Sequence, residues 1–243
     1  MKGIILAGGT GSRLYPLTKV INKHMLPVGK YPMIYHSVYK LSEAGISDIL
    51  IISGREHMGD MVKLMGSGSE FGVSFTYRVQ DQAGGIAEAL GLAEDFASGQ
   101  LMTVLLADNL FADHISPYVE KFKKQGKGAK ILLVKVTDPQ RYGIAELLGE
   151  KVISIEEKPR HPKSNYAVTG IYMYDSRVFE IIKTLKPSAR GELEITDVNN
   201  FYMRENMLTY DYLQGWWTDG GTHESFLRAN QWAEKVDYGE FGL

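Results

Sequence analysis

A chain of 243 residues with 44% hydrophobic content can bury a substantial core, and it suits a single α/β domain. Its formal net charge of -2 argues against a nucleic acid as the main partner, because long polyanions are usually met by a broad basic face. The sequence contains no cysteine, which excludes disulfides, thiolate metal sites and a cysteine nucleophile, and which fits a reducing compartment.

The chain begins with a predicted strand, Gly3–Ala7, that runs into a glycine-rich loop, Gly8–Leu14. The apolar run is far too short for a signal-peptide core or a membrane span, so we expect a cytoplasmic protein without membrane contact. Arg13 and Lys23 supply positive charge around the loop. Because glycines let backbone N–H groups approach an anion closely, the pattern predicts a triphosphate site here.

Two better-known glycine loops and one ordinary alternative compete with this interpretation. A P-loop would end in Gly-Lys-Ser or Gly-Lys-Thr, whereas this chain reads Gly-Ser-Arg at 11–13. A dinucleotide fingerprint that starts at Gly9 would need Gly or Ala where Leu14 stands. The ordinary alternative is a turn that leaves a buried strand, which is frequent in α/β folds. The cations Arg13 and Lys23 favour the phosphate site.

After the loop, apolar strands alternate with segments of helical period, which is typical of parallel β-α-β winding. Several strands are apolar throughout, as expected when both faces of a sheet are covered. The predicted strands of this part are Asp48–Ser53, Val73–Val79, Leu101–Ala107 and Ala129–Val136, and the predicted helices are Pro32–Ala44, Ile86–Phe96 and Pro117–Lys124. The pattern therefore predicts an α/β fold with a mostly parallel sheet flanked by helices.

The pattern changes after residue 137. Gly143–Leu148 and Lys151–Glu157 predict a hairpin around Gly149, and together with the next strand, Ala167–Tyr174, they are interpreted as an inserted lid or a sugar-facing region. The remaining predicted elements are the helices 176–185 and 194–206, the strand Leu208–Leu213, a turn at 216–221 and a last helix, Thr222–Val236. No linker rich in Pro, Gly or charge separates these parts, so we expect one domain over residues 1–243.

Two aspartates follow predicted strands, at the positions where open parallel sheets bind their ligands. Asp108 follows Leu101–Ala107, and Asp219 follows the late strand and its tryptophan pair. Two carboxylates beside a phosphate loop suit Mg²⁺, although only the fold can bring such distant residues together. The alternative is that each aspartate caps a helix or closes a turn, which is the commoner role for either residue alone. The six histidines show no metal-ligand spacing.

Many short motifs occur in a characteristic order along the chain. They read GIILAGGTGSRLYP from Gly3, KHMLP from Lys23, VQ from Val79, GIA from Gly85, LADN from Leu106, RYG from Arg141, EEKP from Glu156, NYAVTG from Asn165, RGELEITD from Arg190 and WTDGGT from Trp217. In these motifs the chain resembles the sugar-1-phosphate nucleotidyltransferases, and most of all the glucose-1-phosphate thymidylyltransferases. The resemblance covers essentially the whole length.

The resemblance implies a Rossmann-like nucleotide-diphospho-sugar transferase fold with an inserted sugar-binding β region. Residues 1–137 would mainly bind the nucleotide, and residues 138–243 mainly the sugar. The phosphate of glucose 1-phosphate would attack the α-phosphorus of dTTP with the help of Mg²⁺, giving dTDP-glucose and pyrophosphate. This would be the first step of dTDP-L-rhamnose or deoxysugar synthesis for polysaccharides, and a homo-oligomer follows from the resemblance alone.

The resemblance also assigns roles to individual residues. Arg13 would draw charge onto the leaving pyrophosphate, Lys23 would engage the phosphates near the α-position, Lys158 would hold the sugar phosphate, and Asp108 with Asp219 would bind Mg²⁺. The implied nucleotide-binding residues are Leu6, Gly8, Gly9, Thr10, Gly11, Ser12, Arg13, Lys23, Gln80, Gly85 and Asp108. The implied sugar-phosphate-binding residues are Asn109, Tyr142, Gly143, Glu157, Lys158, Val168, Arg190 and Trp217.

Some of these residues have an ordinary structural alternative. Plain packing is the commoner role of aromatic side chains, and it competes with sugar binding for Tyr142 and Trp217. A solvated strand end is the alternative for Glu157. Gln80 can both donate and accept on a pyrimidine edge, which fits a base contact.

Four positions depart from the family pattern. His24 stands where glutamine is usual, Ala107 where glycine commonly precedes the Asp-Asn pair, Thr218 where leucine is usual, and Gly220 where threonine commonly follows the aspartate. The methyl group of Ala107 could crowd nucleotide or metal, and His24 could alter base or phosphate contacts. A UTP- or CTP-using relative and a non-catalytic protein that binds a nucleotide sugar therefore stay open as alternatives.

The stretch after Asp219 leaves room for one helix and a short tail. Longer relatives carry extra helices there, which contribute to a second, regulatory nucleotide-sugar site. We therefore expect feedback inhibition by dTDP-L-rhamnose to be weak or differently built in this chain.

Overall fold

The structure is a computed structural model, and it describes residues 1–234. Its strands are β1 (Lys2–Ala7), β2 (Pro27–Val28), β3 (Tyr31–Pro32), β4 (Asp48–Gly54), β5 (Ser74–Gln80), β6 (Met102–Leu106), β7 (Asn109–Phe111), β8 (Ala129–Lys135), β9 (Gly143–Leu148), β10 (Lys151–Glu157), β11 (Tyr166–Tyr174), β12 (Leu208–Tyr212) and β13 (Trp217–Asp219). Its α-helices are α1 (Met33–Glu43), α2 (Met58–Met65), α3 (Ile86–Gly91), α4 (Glu94–Ala97), α5 (Ser116–Gln125), α6 (Val178–Thr184), α7 (Ile195–Arg204) and α8 (His223–Ala233).

One nine-stranded sheet runs through the protein. Seven strands follow the order β10-β9-β11-β6-β1-β4-β5, while β8 pairs with β11, and β12 pairs with β8. The central neighbours β6, β1, β4 and β5 are parallel, and β12 is parallel to β8. By contrast, β11 is antiparallel to β6, β8 and β9, and β9 and β10 form an antiparallel hairpin. The predicted α/β fold, with a mostly parallel sheet flanked by helices, is confirmed, and its parallel part is the centre of the sheet.

Alternate side chains of β1 pack into two cores on opposite faces of the sheet. Ile4 and Leu6 belong to the core that includes α3, α6 and α7, and Ile5 and Ala7 to the core that includes α1, α2 and α5. Because helices cover both faces, every residue from Ile4 to Ala7 is buried. This explains why the strand is apolar throughout instead of alternating.

The predicted hairpin around Gly149 has the bounds of β9 and β10. It lies at the edge of the main sheet, next to β11, and does not form a separate sheet. The predicted helix 86–96 is divided into α3 and α4, and the sequence analysis missed α2, in which only Met61 and Met65 are buried. With only two buried apolar residues, α2 has too weak an apolar periodicity to be predicted as a helix.

Two corrections concern the last part of the chain. The predicted turn at 216–221 contains a strand, β13, and the last helix begins at His223, where the Thr222 and Ser225 side chains form a capping box. Its predicted end at Val236 lies outside the described residues. Within residues 1–234, no helix combines the length and the apolar character needed to cross a bilayer.

Candidate active site

A short strand pairing brings the two predicted metal ligands together. The strand β7 directly follows Asp108 and pairs antiparallel with β13, which places Asp219 opposite Asn109. The carbonyl oxygen of Asp108 accepts a hydrogen bond of 2.6 Å from the backbone N–H of Gly220. Asp219 is therefore the last residue of a strand, and not a residue of a turn as the sequence analysis predicted. The two carboxylates share one end of the central sheet.

The buried side chain of Asn109 holds this arrangement in place. Its Oδ1 accepts hydrogen bonds from the Gly170 N–H at 2.7 Å and from Trp217 Nε1 at 2.8 Å, while its Nδ2 donates to Asp108 Oδ1 at 3.0 Å. A Cβ on Gly170 would lie only 2.5 Å from Asn109 Nδ2. Asn109 thus fixes the Asp108 carboxylate and the Trp217 ring, and its implied contact with the sugar phosphate stays a prediction.

Two cations pair with the two carboxylates. Lys23 Nζ lies 2.5 Å from Asp108 Oδ2, and Arg141 Nη2 lies 3.2 Å from each oxygen of Asp219. The Arg141 guanidinium also bonds Asp138, at 2.8 Å. Sequence reasoning missed Arg141 as a site residue, although it belongs to the RYG motif and a cation beside a predicted ligand was a usable signal.

The two carboxylates differ in their electrostatics. Burial raises the pKa of Asp219, and the negative charge of Asp108 raises it further, against the opposing effect of Arg141, Arg13 and Lys23. Burial also opposes ionisation of Asp108, but it is outweighed by the charge and hydrogen bond of Lys23 together with nearby His24 and the hydrogen bond from Asn109, which hold the pKa of that carboxyl well below its usual range. Burial and the charge of Asp108 therefore disfavour the ionised form of Asp219, and further positive charge beside the pair would favour it.

The glycine-rich loop turns tightly and presents Arg13 toward this pair. Gly9 and Gly11 have φ angles of 91° and 64°, which suit glycine, and the loop is anchored by the fully buried Leu14. A Cβ on Gly221 would lie 3.0 Å from Arg13 Nη2 and 3.2 Å from Asp219 Oδ2. The absence of a side chain at Gly221 thus lets Arg13 approach the carboxylate.

A cavity of about 220 Å³ lies beside the loop and above α3. The predicted nucleotide-binding residues that line it are Leu6, Gly8, Gly9, Lys23, Gln80, Gly85 and Asp108. Within residues 1–234, its lining does not include Thr10, Gly11, Ser12 or Arg13. Lining residues that sequence reasoning did not assign to the site are His24, Ala83, Ile86, Ala89, Leu106 and Glu192. We refer to this space as the nucleotide cavity.

His24 contributes a neutral ring to the nucleotide cavity. Its Nδ1 lies 2.8 Å from Asn22 Oδ1, and the side chain is buried. Burial, and then the charge of Lys23, lowers the pKa of His24 to about 3. The imidazole is therefore uncharged at neutral pH, and it changes the shape of the cavity without adding a cation.

A second cavity of about 440 Å³ adjoins the first, because Ile86 and Glu192 line both. Its other lining residues are Arg13, Glu157, Lys158, Arg190, Glu194 and Ile195. Three of these were predicted to bind a sugar phosphate: Glu157, Lys158 and Arg190. We refer to this space as the sugar-phosphate cavity.

Carboxylates hold two of the three cations that line the sugar-phosphate cavity, Lys158 and Arg190. Arg190 Nη2 lies 2.8 Å from Glu194, 3.2 Å from Glu192 and 3.6 Å from Glu157, and Lys158 Nζ lies 3.2 Å from Glu157. Lys158 has a φ of 45°, a left-handed conformation that is unusual for lysine. Such local strain is often found at functional sites, and here it accompanies a cation that lines a cavity.

The other predicted sugar contacts lie around the carboxylate pair. The rings of Tyr142 and Trp217 pack edge to face with centroids 5.3 Å apart, and the Tyr142 hydroxyl donates to Asp219 Oδ1 at 3.4 Å. A Cβ on Gly143 would lie 3.2 Å from Glu157 Oε2, and Val168 packs against the core from β11. Packing is thus observed for both aromatic residues, and contact with a sugar stays a prediction for all of them.

The chain is similar to known proteins over nearly its whole length. A family model described as "Nucleotidyl transferase" matches residues 2–236. A glucose-1-phosphate thymidylyltransferase from Neisseria meningitidis serogroup A is 43% identical over 240 residues, which cover 97% of this chain and 83% of the relative.

Two solved structures have the same fold. A crystal structure from Bacillus anthracis, provisionally named a glucose-1-phosphate thymidylyltransferase and containing a sucrose, is 65% identical with a TM-score of 0.96, covering 100% of this chain and 98% of its own. A UDP-glucose pyrophosphorylase complexed with UDP-glucose is 26% identical with a TM-score of 0.85, covering 96% of this chain and 98% of its own.

Proposed function

The chain belongs to the nucleotidyl transferase family, as its motifs predicted, and from this premise we propose that it transfers a thymidylyl group from dTTP to glucose 1-phosphate, producing dTDP-glucose and pyrophosphate. The observation that carries the proposal is the contact between the two cavities. Lys23 and Asp108 line the nucleotide cavity, while Lys158 and Arg190 line the sugar-phosphate cavity. Two phosphorylated substrates in adjoining cavities can meet phosphate to phosphate.

This reaction needs charge neutralisation and alignment, and it needs no general base. A phosphate monoester is anionic at neutral pH, so the barrier comes from repulsion between two anions and from in-line geometry. An oxygen of the sugar phosphate forms a bond to the α-phosphorus, and the bond from the α-phosphorus to the pyrophosphate oxygen breaks. Lys158 and Arg190 would hold the sugar phosphate. Lys23 would bind the α-phosphate, and Arg13 would bind the leaving pyrophosphate.

We propose that Asp108 and Asp219 hold Mg²⁺ together with the substrate phosphates. Two carboxylates at one end of the sheet supply the oxygen ligands that this cation takes, and a divalent cation would offset the burial and the negative charge of Asp108 that raise the pKa of Asp219. Within residues 1–234, no group of three or more potential metal-ligating side chains occurs, so phosphate and water oxygens would complete the coordination. Once bound, the cation would neutralise phosphate charge.

The test is pyrophosphate release from the purified protein with Mg²⁺ and glucose 1-phosphate, comparing dTTP with UTP, CTP and ATP. Release that is fastest with dTTP is the expected result. Fastest release with UTP or CTP would support the same type of reaction with a different nucleotide substrate. His24 and Ala107 would then be the positions to examine. No release from protein that binds dTTP would favour a nucleotide-sugar-binding protein.

The cellular setting is proposed from the family resemblance. The product dTDP-glucose would enter dTDP-L-rhamnose or another deoxysugar synthesis that supplies a polysaccharide. The protein would work in the cytoplasm, as a homo-oligomer and without nucleic acid. A mass measurement in solution tests the oligomer, and the sugar nucleotides of cells that lack the protein test the pathway.

A further inference from the structure

A carboxylate behind the nucleotide cavity determines which way the Gln80 amide faces. Gln80 is buried at the end of β5, and its Nε2 donates a hydrogen bond to Glu88 on α3. The two ends of a carboxamide have nearly the same shape and opposite hydrogen-bonding character. An ionised carboxylate can only accept a hydrogen bond, so the nitrogen of Gln80 has to face Glu88.

The oxygen of the same amide lies at the wall of the nucleotide cavity. Gln80 Oε1 would be 2.6 Å from a Cβ on Gly8, and both residues line the cavity. Throughout residues 1–234, no protein donor is hydrogen-bonded to this oxygen, whereas the nitrogen has Glu88. Gln80 therefore offers an acceptor in this orientation, and a ligand in the cavity must supply the donor.

Glu88 is itself held in place. A Cβ on Gly84 would lie 3.1 Å from Glu88 Cγ and 3.4 Å from its Cδ, so the loop before α3 packs closely against the glutamate stem. Glu88 does not line the nucleotide cavity within the part of the chain that the structure describes. Its influence on a ligand would pass through Gln80.

We propose that Glu88 is a positioning residue that selects pyrimidine bases with a hydrogen at N3. The proposal rests on the proposed function, in which Gln80 contacts the base. Thymine and uracil carry an N3–H, which can donate to the fixed Oε1 of Gln80. Cytosine has a lone pair at N3, which would face the lone pairs of that oxygen. Glu88 thus disfavours cytosine, and it does not separate thymine from uracil.

The test compares kcat/KM for dTTP, UTP and CTP in the wild type, Glu88→Gln and Glu88→Ala. A glutamine at position 88 can donate or accept, so the Gln80 amide can turn and offer its nitrogen to cytosine. We expect the preference for UTP over CTP to fall by about tenfold in both variants. The control is Glu94→Gln, which removes a 2.7 Å surface ion pair with Lys183 and should leave that preference unchanged.

A purely structural role for Glu88 would lower all three values together, and an unchanged ratio of UTP to CTP would overturn the proposal. Calorimetric binding of the three nucleotides, without sugar phosphate, separates this proposal from the proposed reaction. The wild type could bind UTP more tightly than CTP without any turnover, and Glu88→Gln could lose that preference. This result would support the role of Glu88 and overturn the transfer reaction. A wild type that binds no pyrimidine nucleotide would overturn both.

Discussion

The two cavities are built in opposite ways. In the nucleotide cavity the charged pair Lys23–Asp108 is largely buried, with side chains 13% and 15% exposed, and each group fixes the other. In the sugar-phosphate cavity the cations Lys158 and Arg190 are 44% and 41% exposed, and nearby carboxylates hold them. The first site is preorganised, whereas a phosphate that bound in the second would have to displace carboxylates from its cations.

This difference separates what each substitution should change. Substitutions in the nucleotide cavity should affect the chemical step or nucleotide binding, because the side chains there are already held in fixed positions. In the sugar-phosphate cavity, they should mainly affect the KM for the sugar phosphate.

The largest effect is expected for Asp108→Asn. The substitution keeps the shape and removes the charge that pairs with Lys23 and that would hold Mg²⁺, so we expect kcat with Mg²⁺ to fall at least about 100-fold. The matched control is Asp48→Asn, which breaks a surface pair with Lys2 and should leave kcat unchanged. Full activity of Asp108→Asn at saturating Mg²⁺ would contradict the metal role.

Arg190→Lys should raise the KM for glucose 1-phosphate about tenfold or more and leave the KM for dTTP nearly unchanged. Arginine binds a phosphate through two N–H groups, which lysine cannot reproduce. Arg55→Lys is the control, because Arg55 forms an exposed pair with Asp81. Steady-state kinetics with each substrate varied in turn measure both constants. An equal rise in the two KM values would contradict the assignment of the two substrates to separate cavities.

Gly8→Ala should have the converse effect, since a Cβ at Gly8 would lie 2.6 Å from Gln80 Oε1. We expect a several-fold rise in the KM for dTTP, with little change in the KM for glucose 1-phosphate. Gly59→Ala in α2 is the control, because a Cβ there meets no atom within 4 Å. Unaltered dTTP binding by Gly8→Ala would show that Gln80 and Gly8 do not form the base contact.

The smallest effect concerns stability in acid. The pKa of His24 is lowered to about 3 by burial and by Lys23, so the unfolded chain binds one more proton than the folded protein between about pH 6.5 and that value. Below pH 6.5 this difference should destabilise the fold by up to about 1.4 kcal/mol per pH unit. His24→Gln should therefore lose less stability on acidification.

Urea unfolding at pH 7 and pH 5 measures this difference, and the exposed His161→Gln serves as the control. We expect His24→Gln to narrow the gap between the two free energies of unfolding, while the control retains the wild-type gap. An equal gap in all three proteins would show that His24 does not titrate with unfolding.

Local patterns in the sequence were sufficient to predict the scaffold of the nucleotide site. The buried run from Ile4 to Ala7 and the glycines after it determine strand and loop within a dozen residues, and Asp108 directly follows a predicted strand. Leu6, Gly8 and Gln80 were implied by family resemblance, and the structure gathers them around one cavity. Short-range information is enough for the strand and the loop, because neighbouring residues form them, whereas the fold brings Gln80 to Gly8.

Contacts between distant segments could not be read in the same way. The three residues of β13 carry too little pattern to be recognised as a strand, and they are ordered by pairing with β7. The same holds for the contact of Arg141 with Asp219, and for Glu192, which lines both cavities. Each depends on segments that only the complete fold brings together.

The most direct test of the central claim is to follow ¹⁸O from the phosphate oxygens of labelled glucose 1-phosphate during turnover with dTTP and Mg²⁺. Attack of that phosphate on the α-phosphorus predicts that dTDP-glucose retains all of the label and that pyrophosphate contains none, with the two products formed in equal amounts. Label in pyrophosphate or in free phosphate would contradict the proposed displacement.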